Sequence, residues 1–342
     1  MLLTGALLAL VCTTGLLHSA AAARSVIHVV VDDLGRADLG FRNNMTYSPT
    51  LDAMARGGVI LDSHYVFQVC APTRASIMTG RYPWGIGFYY VGGDNLGVPL
   101  QYEMLPQALR RLAKAQNSTD VATVAIGKWH NGALLKAYTP TYRGFESYFG
   151  YYHAAVNSYW YHGGEGGGCE GTDLSNSTGL NGVISPANRP DINGTYSTIA
   201  FTAEATRIIG IHDVARPLYM YLAYEAVHDA GGSGVTLPVQ APLDQVERYA
   251  QRVVDDTYKV QSAMIAVLDE GIANITAALD AKGMLEDCVW IVTADNGEAG
   301  PIVWLCSEPC LVSEYRVAAA QEVRWITVTI FLCAAGSIPC GK

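Results

Sequence analysis

Four short apolar runs along the chain each break off into polar or ionisable residues. Val26–Val31 (VIHVVV) gives way to Asp32-Asp33-Leu34-Gly35, and Val121–Ile126 (VATVAI) to Gly127-Lys128-Trp129-His130. Leu218–Tyr224 (LYMYLAY) runs into Glu225-Ala226-Val227-His228, and Val289–Thr293 (VWIVT) into Ala294-Asp295-Asn296-Gly297. Apolar runs of this kind predict strands buried on both faces, as in parallel sheets. Helical patterns lie between them, over Leu51–Gly57, Glu103–Ala115 and most clearly Asp255–Lys282. In the last, Val260, Met264, Val267, Leu268, Ile272, Ile275 and Leu279 follow helical spacing, and Gly283 can close the end. Strands alternating with helices predict an α/β sandwich, a mostly parallel central sheet with helices on both faces. Ligands bind beyond the carboxyl ends of strands in such sheets, so the polar clusters are expected to converge on one site.

Asp32, Asp33 and Asp295 with the amide oxygen of Asn296 form a hard, oxygen-only ligand set, suited to Ca2+ or Mg2+ rather than zinc. Without a cation these carboxylates would repel one another, and some would have to take up protons. Lys128 and His130 are two apart, so an extended segment would point them the same way. With His228 at another strand end, they can hold an anion and move protons. His28, His153 and His162 are read as ordinary polar side chains. The stretch 153–189, rich in Gly, Tyr and Asn and containing GGEGGGC, reads as a long surface insertion beside a cleft.

Residues 70–81 read CAPTRASIMTGR. Cys70 lies just before Ala75–Gly80, a first helical turn that would aim backbone N–H groups at an anion. A plain cysteine nucleophile with His130 or His228 as base is one reading. Thiolate chemistry gives no reason, however, for Pro72 and Arg74 at fixed offsets, nor for a hard metal beside a soft sulfur.

Cys70-Ala71-Pro72-Thr73-Arg74 followed by Thr79-Gly80 resembles the signature of type I sulfatases, with Thr at position 73 where close relatives usually carry Ser. The ordered set His28–Gly35, Gly127–His130, Arg143–Phe145, Tyr148–Tyr151, Val227-His228 and Asp295–Gly297 is similar to arylsulfatase B-type N-acetylgalactosamine-4-sulfatases, over roughly residues 25–298. The resemblance implies an alkaline-phosphatase-like fold and hydrolysis of sulfate esters on sugars or aryl groups. It further implies that Cys70 is converted to formylglycine by a dedicated generating enzyme, for which Pro72 and Arg74 are the address. Asp32, Asp33, Asp295 and Asn296 would hold one Ca2+ (Mg2+ as the alternative), with residue 70 also contacting it. The hydrated aldehyde would attack sulfur; Arg74, Lys128 and His228 would neutralise the sulfuryl oxygens, and His130 would act on the second hydroxyl to expel sulfate. The alternatives are a phosphodiesterase of the same superfamily, or a catalytically impaired sulfatase-like glycoprotein.

Half of the 342 residues are hydrophobic (50%) and few are charged (15%), which fits a large buried core. The formal net charge of −9, with no long basic run, argues against nucleic acid or an anionic membrane surface as partner. Residues 1–23 resemble a secretory signal ending near Ala21–Ala23. Asn-x-Ser/Thr at Asn44, Asn117, Asn176, Asn193 and Asn274 points the same way, to the lysosome or the extracellular space. Cysteines remaining after loss of the leader could form disulfides there. The organisation expected is thus a signal peptide (1–23), a catalytic domain (24–298) and a divergent or truncated segment (299–342). Residues 299–341 contain no lysine, although the resemblance predicts a sulfate-contacting lysine and a smaller C-terminal subdomain there. The 13-residue apolar stretch 326–338 is too short to span a bilayer and reads as a strand.

Overall fold

The computed structural model describes residues 25–89, 97–156, 158–161, 172–182, 185–186, 192–230, 239–249, 253, 255–297 and 326–334. The leader, the GGEGGGC run and the rest of the segment from 299 onward lie outside the described residues. The strands are β1 (Ser25–Val31), β2 (Val59–Val66), β3 (Ala122–Gly127), β4 (Ser147–Gly150), β5 (Ser175–Thr178), β6 (Ser185–Pro186), β7 (Leu218–Tyr224), β8 (Cys288–Ala294) and β9 (Ile326–Ala334). They form one sheet in the order β2-β9-β8-β1-β7-β3-β4-β5-β6. The middle, β8-β1-β7-β3-β4, is parallel, and the pairings at both margins are antiparallel.

The sheet is covered on both faces, as the unbroken apolar runs require. Ile27, Val29 and Val31 of β1 pack into one core together with Met264 and Leu268. Val30 faces the opposite core, with Ala125, Tyr219, Tyr221 and Met78. The helices are α1 (Pro49–Gly57), α2 (Cys70–Thr79), α3 (Pro83–Ile86), α4 (Leu105–Ala115), α5 (Ser197–Ile211), α6 (Leu243–Tyr249) and α7 (Asp256–Ala281). α7 is long and apolar enough to cross a membrane by composition alone, but here it is a core helix packed on α1, α5 and α6. The Asp255 carboxylate caps its start, accepting from Thr257 N–H at 2.9 Å and Tyr258 N–H at 3.0 Å. Asp269, within α7, accepts from Thr50 and Leu51 N–H at 3.1 and 2.7 Å and so holds the first turn of α1.

Two sequence expectations change. The apolar stretch near the C-terminus is indeed a strand, but β9 inserts between β8 and β2, so part of the 299–342 segment belongs to the central sheet. α2 begins at Cys70 itself and not at Ala75. Val69 is extended (φ −144°, ψ 155°), and Pro72 falls in the first helical turn, where its missing N–H leaves no bond unmade. Gly80, in the left-handed region, ends the helix and donates to Ser76 C=O at 2.8 Å.

One close approach fixes how the strand ends sit. Gly127, at the end of β3, has φ +94°, and a Cβ there would lie 1.8 Å from the Ala223 carbonyl oxygen of β7. Only glycine fits both constraints. Gly127→Ala should therefore lower unfolding free energy by about 2 kcal/mol or more in denaturant titrations; an unchanged midpoint would show that β3 and β7 can separate at this point without cost.

Candidate active site

Val31 is in register with both Tyr224 and Ala294, and Gly127 with Ala223. The residues that follow β1, β3, β7 and β8 therefore emerge side by side, and α2 brings Cys70 and Arg74 against them. Every residue singled out from the sequence meets here: Asp32, Asp33, Cys70, Arg74, Lys128, His130, His228, Asp295 and Asn296.

Asp32 is the hub of the arrangement and is fully buried. Its Oδ2 accepts from Lys128 Nζ at 2.5 Å, and its Oδ1 lies 3.3 Å from Arg74 Nη2 without hydrogen-bond geometry. Arg74, equally buried, donates from Nε to Asp295 Oδ2 at 2.9 Å and from Nη1 to the Lys128 carbonyl at 3.3 Å. Backbone bonds lock the β1 and β7 ends together, with Asp32 N–H donating to Ala226 C=O at 3.0 Å and Val227 N–H to Asp32 C=O at 2.7 Å. Asp33, at φ +57°, donates its N–H to Asp295 Oδ1 at 3.3 Å, and Asn296 Nδ2 donates to Asp33 Oδ1.

Electrostatics differentiates these groups. Burial pushes the Asp33 carboxyl above the usual range, and burial together with Asp32 does the same to Asp295. Burial acts in that direction on Asp32 too, but Lys128 and Arg74 outweigh it and hold its carboxyl below the usual range. Burial pulls the His228 imidazole down, yet the nearby carboxylates, Asp32 foremost, bring it to about 10. Its Nε2 lies 3.7 Å from Asp33 Oδ2, and its Nδ1 bonds the Asp229 carbonyl at 2.6 Å. His130 has the opposite character, because burial, Lys128 and Arg74 all lower it well below its ordinary value and keep the ring neutral. Cys70, 9% exposed and outside any disulfide, has its thiol pushed up to about 11 by burial, with Asp32 and Asp295 adding to the effect. Burial thus favours the thiol over the thiolate in the unmodified side chain, which weighs against the plain cysteine-nucleophile reading.

The donor set fits a hard divalent cation. Asp32, Asp33 and His228, and likewise Asp32, Cys70 and Asp295, offer ligand atoms within 4.8 Å of one another. Asp32 Oδ1 and Asn296 Oδ1 are buried with no hydrogen-bond partner among the described residues, as oxygens reserved for a metal would be.

Lys128 and His130 do not reach the site along an extended segment. His130 has φ +47°, and its N–H donates to Tyr152 C=O at 3.1 Å, so a turn and not the pleat sets the two directions. His28 is a buried strand residue bonded to Tyr219 Oη at 3.2 Å. His153 lies beside the His130 turn, and its Nδ1 contacts Asp173 Oδ2 at 2.6 Å. Two participants were given no role from the sequence. Tyr159 Oη reaches the Glu225 and His228 carbonyls at 3.0 and 2.6 Å, pinning the turn that presents His228. Glu225 is buried, and neither carboxyl oxygen has a hydrogen-bond partner among the described residues; Ser197 Oγ faces it at the start of α5 without closing a bond of normal geometry. Its place directly after an apolar strand was the only hint.

A mostly parallel sheet that gathers carboxylates, a guanidinium, an amine and imidazoles at its carboxyl edge defines an α/β protein whose strand ends bring together groups that could hold a metal ion. The sulfatase family model matches residues 24–303, and the chain belongs to the sulfatase family. It is 32% identical to Arylsulfatase J of Mus musculus over 80% of this chain and 42% of that protein. To Arylsulfatase A of Homo sapiens it is 27% identical, over 80% of this chain and 52% of that one. The chain thus spans about half the length of these relatives. The crystal structure of Ps i-CgsB in complex with k-i-k-neocarrahexaose shares the fold at a TM-score of 0.67 and 22% identity, over 93% of this chain and 67% of that chain. The PsFucS1 sulfatase from Pseudoalteromonas sp. does so at 0.60 and 22%, over 80% and 55%.

Glu225 generates a pH dependence of stability. Burial raises its carboxyl from 4.5 to about 8, so the native state binds the proton more tightly than the unfolded chain. The stability this confers is full below the unfolded value and is lost as pH rises through the folded one. Glu225→Gln, which cannot ionise, should therefore gain in Tm over the wild type by about several degrees between pH 5 and pH 8. A Tm difference that stays constant across that range would mean that Glu225 does not titrate there.

Proposed function

We propose that this chain carries the catalytic centre of a sulfuric ester hydrolase acting on sulfated sugars or aryl sulfates, through formylglycine at residue 70 and one bound Ca2+, with Mg2+ as the alternative ion. The observation that carries this reading is the position of Cys70 at the start of α2, against Asp32 and Asp295, within an address sequence whose Arg74 is itself built into the site. A thiol held protonated needs conversion before it can act as a nucleophile, which supports the aldehyde.

The bound cation would draw charge from the sulfuryl oxygens, and the aldehyde hydrate would supply the attacking hydroxyl. Around that centre, Arg74 and Lys128 are fixed cations whose orientation costs nothing at the moment of reaction, because Asp32 and Asp295 already hold them. His228, kept protonated by its carboxylate neighbours, offers a further cation to the substrate. His130 is neutral, and its Nδ1 has no hydrogen-bond partner among the described residues, the state required of a base that takes the proton from the second hydroxyl as sulfate leaves. Within the class, a 4-sulfated N-acetylgalactosamine is the substrate we favour, from the ordered motifs between residues 28 and 297.

The reading places the chain in the secretory pathway, lysosomal or extracellular, where a formylglycine-generating enzyme is its first partner. The apolar leader supports this, as does the exposure of Asn44, Asn117, Asn193 and Asn274; Asn176 is half-buried in β5.

Coexpressed with the generating enzyme, the tryptic peptide spanning residue 70 should be lighter by the difference between a thiol side chain and an aldehyde. Only unmodified cysteine in that peptide would remove the proposed nucleophile. Elemental analysis should find calcium, and Asp33→Ala should lose both the metal and the stabilisation that added Ca2+ gives the wild type, about 2–3 kcal/mol at a hundredfold excess over Kd and read as a rise in Tm. Zinc, or the same Ca2+ response in the variant, would count against the ligand set.

A further inference from the structure

A second surface lies along the helix that presents Cys70. Thr73, Ser76 and Ile77 of α2, with Gly80 just past its end, recur at helical spacing and line a cavity of about 400 Å³, Thr73 at its buried end. That volume is in the range of small-molecule and oligosaccharide sites. At the far end Phe67 and Tyr82 line the cavity, and Trp84 packs on both from beside it. Tyr82 and Trp84 flank Pro83 at the start of α3 and stack at 4.8 Å with their planes 4° apart. Phe67 meets Trp84 edge-on at 5.3 Å. These rings are not core residues, since Tyr82 is 59% and Trp84 54% exposed. Arg81 joins them, its guanidinium 5.5 Å from the Tyr102 ring centroid, and His64 lines the same cavity.

We propose that this surface is a subsite for the sugar chain of a sulfated glycan, engaged while another residue of that chain occupies the centre at Cys70; it rests on the sulfatase reading. The chemistry of the lining favours a sugar over another protein. A pyranose presents a face of C–H bonds suited to an aromatic ring and a rim of hydroxyls that can donate to Ser76 Oγ, which itself donates to Pro72 C=O at 3.0 Å. Arg81 adds a cation for a sulfate or carboxylate group in a protein of net charge −9, where a general attraction for polyanions is absent. The cavity begins at Thr73, one turn from Cys70, and runs to Gly80, about 10 Å along the helix axis, a span longer than one sugar ring. Small aryl sulfates would fill only the first position and make no use of the surface.

The test is calorimetric titration of the full chain with a chondroitin 4-sulfate hexasaccharide and with its desulfated counterpart, which needs no turnover. Trp84→Ala and Tyr82→Ala, at exposed positions, should each weaken hexasaccharide binding about tenfold. Arg81→Gln should weaken only the sulfated form. Hydrolysis of 4-nitrocatechol sulfate by the converted enzyme should be unchanged in all three. Lys128→Ala serves as the control for the centre: binding that persists in it and falls on adding Trp84→Ala supports the subsite. Wild-type affinity in the Trp84→Ala protein overturns it, as does complete loss of binding with Lys128→Ala alone. A change in sedimentation of Trp84→Ala would make the face a contact between copies and overturn the sugar assignment. Failure of residue 70 to convert would defeat the sulfatase reading and leave these binding results standing.

Discussion

The ion pairs around Asp32 are the constraint on which the rest of the site depends. Two cations, Arg74 and Lys128, are buried completely, and neither would be tolerated there without a carboxylate at contact distance. Asp32 and Asp295 provide that contact; the two cations outweigh the cost of burial at Asp32, while the Asp295 carboxyl stays above the usual range. Removing any one member leaves an uncompensated charge in a site closed to water. The same arrangement explains why oxygens are left over: Arg74 and Lys128 satisfy part of the paired carboxylates, while Asp32 Oδ1 and Asn296 Oδ1 have no partner among the described residues. The result is a centre whose positive groups are oriented in advance and whose spare oxygens invite a hard cation.

The fold supports this centre through strand register. β1 lies between β7 and β8, so Asp32 can exchange backbone bonds with Ala226 and Val227 on one side while Asp33 bonds Asp295 on the other. Gly127 lets β3 approach β7 closely enough for Lys128 to reach Asp32. Tyr159 and the buried Glu225 stand behind the His228 turn, so the protonation of a residue that touches no substrate bears on how firmly that turn is held.

What could be read from the sequence follows from physical causes. Parallel strands are apolar on both faces and stop abruptly at the site, so their boundaries, and the polar residues just beyond them, stood out. α2 starts at Cys70, ahead of the turn expected at Ala75, and Pro72 is compatible with that start because a proline in the first turn breaks nothing. The turn that redirects His130 was missed because a positive φ at a non-glycine residue leaves no trace in composition. The environment of Glu225 depends on where α5 begins in space, which no local pattern encodes. Position 73 as Thr is accommodated without strain, its hydroxyl donating to the Val69 and Phe67 carbonyls at 3.1 and 3.3 Å.

The strand order also dictates a timetable. β1 is the first strand made, yet its two neighbours, β7 and β8, come from far along the chain, and β9 reaches its place between β8 and β2 only after residue 326. Both edges of an apolar strand therefore wait for most of the polypeptide before they can pair. Asp32 likewise meets Asp295 only across 262 residues of intervening sequence, counted from the backbone bond of its neighbour Asp33. Non-local pairing of this kind makes folding slow and leaves unpaired edges open to other chains meanwhile. Crowding at the ribosome exit, and the supply of chaperones there, thus become as relevant to how much working site is formed as any contact in the finished molecule.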